Sequence, residues 1–146
     1  MEITPKKILV PLVIGLLVWI IAFFVIGWTQ ISENPAIQAL YLPMVILFGI
    51  GTFLLILIFF YWYLPYLGID MQNEWILESL LFGIIVMLVQ FILDIITFGF
   101  FIPIDLGVYF FGLFLGNPDG STTIIMYPLI VVWTIIAGFI TTKLRT

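Results

Sequence analysis

Four long apolar runs separated by short polar stretches set the pattern of this chain, at residues 8–28, 39–64, 75–101 and 124–142. A hydrocarbon core about 30 Å thick takes about 20 helical residues. Each run is therefore predicted to cross a bilayer as one helix. In the polar stretch Thr29 to Pro35, Asn34 is placed as an N-cap and Pro35 as the first helical residue of the second span. Pro43 falls inside that span, where neighbouring helices and water can satisfy the carbonyl its ring frees. Tyr61, Trp62, Tyr63 and Tyr66, answered by Trp75, surround the turn to the third span. Amphipathic rings settle at headgroup depth, so this turn belongs at an interface. Pro103 is expected to stop the third span.

The stretch from Ile102 to Leu115 is apolar enough to enter lipid but shorter than a tilted span. Asp105 ahead of Leu-Gly-Val-Tyr reads as the N-cap of a short helix over about 105–115, lying in the interface or re-entering the bundle. Asn117-Pro118-Asp119-Gly120 then reads as a turn. The expected fold is all-α and transmembrane: a four-helix membrane bundle in a single domain, residues 1–146, with a short interfacial or re-entrant helix before the last span.

Composition agrees, because a chain that is 64% hydrophobic and 8% charged has too little polar surface to cover a water-facing fold. Charge adds topology. All four cations lie at the ends, Lys6 and Lys7 before the first run and Lys143 and Arg145 after the last. Lys and Arg collect on cytoplasmic flanks, so both termini are expected in the cytoplasm of a multi-pass cell-membrane protein. A fifth crossing at 102–115 would put Lys143 and Arg145 outside. The first run is too long for a signal h-region and ends at Trp28, an interfacial residue type, so it is read as a retained span.

The third run carries the chemistry. At 100° per residue Gly83, Met87, Gln90, Asp94 and Thr97 share one stripe, and Glu78 falls on nearly the opposite face. Asp94 lies about seven residues from Phe101, about 10 Å into the helix, with no Lys or Arg in any span to neutralise it. Gln90, Thr97, Tyr127 and Thr134 are its candidate hydrogen-bond partners. Such an acid is either a proton, cation or ligand site, or glue between helices. Glu78, within a turn of Trp75, is expected to reach the interface near the start of the span and to be structural. Gly15 with Ala22, Gly49 with Thr52, and Thr134 with Gly138 and Thr141 form small-residue faces suited to close helix packing.

Other chemistries lack parts. No cysteine means no disulfide, thiolate metal site or thiol nucleophile. With no histidine, and cations only at the termini, phosphoryl transfer and serine triads have no visible components. Gly68-Ile69-Asp70 is not the Gly-x-Gly-Asp pattern of intramembrane aspartyl proteases. Nucleic acid is excluded as a partner for want of clustered cations. No cofactor or metal is expected. The expected partners are the lipid bilayer and a membrane protein or second copy of the chain.

From Glu78 onward the motifs Glu78-Ser-Leu-Leu-Phe-Gly83, Gln90-Phe-Ile-Leu-Asp94, Tyr109-Phe110, Tyr127-Pro128-Leu-Ile130 and Gly138 resemble small uncharacterised prokaryotic four-span integral membrane proteins. Gln90 stands where such proteins carry Asn, and the insertion at 117–123 is a further departure. The resemblance implies a four-helix membrane domain centred on Asp94 and no known activity. Three uses of the stripe follow in order: a noncatalytic module binding a partner helix, lipid or small amphipathic ligand; a proton- or cation-coupled transporter; and an intramembrane enzyme.

Overall fold

The computed structural model describes residues 2–68, 70, 72–102, 105–112, 114–116 and 123–145. Among them every regular element is helical, and four are long and apolar enough to cross a membrane: Pro5–Gly27, Pro35–Tyr66, Trp75–Phe101 and Thr123–Arg145. The protein is an all-α four-helix membrane bundle. A short helix, Leu106–Phe111, precedes the last span.

Local chemistry explains the boundaries. Pro5 and Pro35 take first-turn positions where a missing N–H costs nothing, and the Asn34 side chain accepts from the Ala36 N–H at 3.0 Å. After Gln38 the helix loosens for two residues and restarts at Tyr41. Pro43 thus sits in the first turn of the restarted helix, not in the interior of an unbroken one, and needs no help from neighbouring helices. Asp105 caps the short helix by accepting from Gly107 and Val108 N–H at 2.8 and 3.3 Å. Six residues rise about 9 Å, so this helix cannot cross. Pro103 and the turn at 117–120 lie outside the described residues.

The third span is the central one, packed on the first and on the fourth, and the fourth also packs on the second. Two glycines set the closest approach. A Cβ on Gly83 would lie 2.2 Å from Thr134 Oγ1, and one on Gly138 would lie 2.0 Å from Ser79 Oγ. The second span meets the first chiefly at Phe23–Gly27. On the N-terminal side of that contact a gap lies between them, beside Ile14, Leu17 and Ile21.

Two buried clusters fill the bundle. One joins Phe60 and Leu64 to Phe82, Val86 and Ala137; the other joins Phe98 and Tyr127 to Tyr109 and Phe110 of the short helix. The short helix is therefore a cap packed into one end.

All four cations gather at the other end. Lys6 lies over the Tyr66 ring at 5.2 Å and Arg145 over Tyr61 at 4.2 Å, with Arg145 Nε–H donating to the Tyr61 carbonyl at 2.8 Å. Lys143 lies over Phe139 at 5.7 Å. Lys7 is paired with Glu78 inside the bundle. Glu78 is 4% exposed, and Lys7 supplies the counter-charge that water would otherwise provide.

Candidate functional site: an aromatic-walled cavity at Asp94

The site forms where two helices loosen at the same depth. The first span widens into a π-helical turn at Phe23–Gly27 and the third at Thr97–Phe101, and Phe23 meets Phe98 with ring centroids 6.4 Å apart. Such turns carry one extra residue per turn and recur at functional positions. Asp94 lies one turn before the second of them.

Three rings from three elements lie beside its carboxyl group. Trp19 of the first span donates its indole N–H to Oδ1 at 2.8 Å, and Tyr127 of the fourth donates its hydroxyl to Oδ2 at 2.5 Å. Tyr109, on the short helix, lines the same cavity beside Asp94 and Thr123. The rings are held in turn: Trp19 stacks on Phe23 at 5.4 Å, and Tyr127 meets Phe91 edge-on at 5.4 Å. Donors satisfy the oxygens without cancelling the charge. Among the described residues none of the four cations reaches Asp94, since all are engaged at the far end.

Beside the carboxylate lies a cavity of about 150 Å³ walled by Trp19, Tyr41, Phe98, Tyr109, Tyr127 and Trp133. That is room for about five waters at liquid density. A second hollow of about 280 Å³ fills the gap between the first and second spans, lined by Leu17, Ile21, Leu55 and Phe59. Val18, Phe48 and Thr52 belong to the walls of both. The two hollows thus share part of their walls: one holds the Asp94 carboxyl group in a largely aromatic lining, and the other is an apolar groove whose rim residues Leu17, Ile21 and Leu55 are exposed to the surroundings of the bundle.

Of the residues singled out from sequence, the structure brings only Tyr127 to Asp94 by a hydrogen bond. Gln90 lines the cavity but spends its amide on the Gly15 carbonyl, at 2.6 Å. Gly15 has no side chain to cover that carbonyl, so the third span approaches and a buried bond between helices forms instead of a bond along the stripe. Thr134 returns its hydroxyl to the Val131 carbonyl at 2.8 Å and is fully buried under Gly83. Thr97 opens the π-helical turn, and its carbonyl accepts from Ile102 N–H at 2.7 Å. Glu78 lies at the cation end, away from the cavity. Sequence reasoning missed Trp19 and did not connect Tyr109 with Asp94. The available signal was a tryptophan in mid-span, since a buried indole N–H needs an acceptor.

Comparison of the chain with protein-family models, with curated proteins and with solved structures finds no match in any of the three.

Proposed function

We propose that this protein is a noncatalytic module of the cell membrane, with both termini in the cytoplasm, that binds a small amphipathic ligand in the Asp94 cavity. The observation that carries this reading is a space beside the Asp94 carboxyl group that shares Val18, Phe48 and Thr52 with an apolar groove between the first and second spans. An amphiphile has that shape. Its head would meet Asp94 and its chain would lie in the groove between the first and second spans. A glue role alone accounts for the hydrogen bonds of Asp94 but leaves the adjoining space unexplained, because dry helix contacts are close-packed. The cation-rich end supports the cytoplasmic assignment of the termini.

Native mass spectrometry of the protein extracted in mild detergent tests the reading. Wild type is expected to retain an adduct of amphiphile mass that Asp94→Asn releases. An adduct-free wild type that also takes up no added amphiphile would sink it.

Proton- or cation-coupled transport is the second reading, favoured by the two π-helical turns that lie side by side one turn from the carboxyl group. It predicts pH-dependent flux in proteoliposomes that Asp94→Asn abolishes. Flux unchanged by that substitution would remove it.

A further inference from the structure

Resting on that binding reading, we infer that the head group the cavity selects is a quaternary ammonium, carried on a single alkyl chain. Three observations converge on it. No described cation pairs with Asp94, so a positive head is the complement its carboxyl group lacks. Its oxygens already accept from Trp19 and Tyr127. A primary ammonium must place three N–H donors and would have to compete for those oxygens. A tetraalkylammonium has no donor to place; it needs only a nearby negative charge and apolar or aromatic surface.

The walls supply that surface. Trp19, Trp133, Tyr41, Phe98, Tyr109 and Tyr127 surround the space, and the faces of such rings attract cations that cannot hydrogen-bond. A volume of about 150 Å³ accommodates a trimethylammonium head, and the adjoining groove of about 280 Å³ accommodates one chain. A zwitterionic phosphocholine fits poorly. Its phosphate would enter beside Asp94 with Lys6, Lys7, Lys143 and Arg145 all at the opposite end of the bundle. Like charge at close range in a medium of low dielectric disfavours it.

The test is equilibrium binding of radiolabelled decyltrimethylammonium to full-length protein in dodecyl maltoside. Competitors are unlabelled decyltrimethylammonium, decylammonium, decylphosphocholine and decyl maltoside. The expected result is saturable binding displaced at least tenfold more effectively by the quaternary amine than by the other three. Asp94→Asn should lose most of it. Thr52→Phe, at a partly buried position in the wall shared by the two hollows, should weaken it while tetramethylammonium still competes for the head-space. It keeps the question open to refutation if Asp94→Asn does not fold. Equal displacement by all four amphiphiles, undiminished in Asp94→Asn, would overturn the head-group assignment while leaving the amphiphile-binding module intact. No saturable binding of any amphiphile would overturn both.

Discussion

At the scale of single residues the two buried acids are handled in opposite ways. Glu78 is paired with Lys7, whereas Asp94 meets ring donors and no described cation. Removing one partner of a buried ion pair strands the other, at a cost of about 3–5 kcal/mol. Glu78→Gln should therefore destabilise the bundle by about that amount, and adding Lys7→Met should recover most of it. Reversible unfolding in mixed micelles measures both; a neutral single substitution would show that the pair is not formed in the membrane. Asp94 was legible in the sequence because an acid in an apolar run has no ordinary reason to be there. Tyr127 was among the partners the sequence offered, but Trp19 was not, since it stands 75 positions away and no helical period links it to Asp94.

At the scale of elements, close approach of the third and fourth spans depends on Gly83. Gly83→Ala places a methyl against Thr134 Oγ1 and 3.0 Å from the Val131 Cα. Overpacking of this kind costs about 1–3 kcal/mol. Thr134→Ala should relieve only part of it, because the backbone of Val131 cannot move aside. Gly83→Ala at wild-type stability would refute the contact.

The turn between the second and third spans offers a pH test. Asn73 Nδ2–H donates to Asp70 Oδ2 at 2.7 Å and Gln72 N–H to Oδ1 at 2.9 Å, and these bonds, the Asn73 side chain first, hold the Asp70 carboxyl below the usual carboxylate range. A lowered folded pKa stabilises the turn above the unfolded value and loses that contribution as pH falls through the folded one. Asn73→Ala should move the Asp70 titration upward, so that the acid-side loss begins at higher pH. Carboxyl NMR reads this directly, and an unmoved titration would contradict it. The span lengths and the Asn34 and Asp105 caps were readable from the sequence, because each is a local matter of run length and turn chemistry. The break at Ala39–Leu40 was not, since both residues suit a helix and only the placement of Pro43 in a first turn rationalises it.

At the scale of the whole molecule, the four terminal cations come to one end together with the aromatic turn. The proposed orientation predicts that reporters active only in the cytoplasm will work at both termini, and that reporters active only outside will work at neither. Split results would break the topology. The architecture was legible because length and hydropathy alone decide what can cross a bilayer. The uneven packing was not. The first and second spans are adjacent in the chain yet meet mainly at one π-helical turn, and the resulting groove depends on which faces the third span occupies.

The central claim is that Asp94 borders a space open to solutes, not a dry contact. The absence of cysteine makes this directly measurable with single introduced thiols. Ala22 lines the cavity, and Ile46 is exposed on the outer surface of the second span. In proteoliposomes, Ala22→Cys should react with a small methanethiosulfonate reagent at least about tenfold faster than Ile46→Cys, because thiolate forms only where water reaches it. Ala22→Cys as inert as the lipid-facing control would contradict the account.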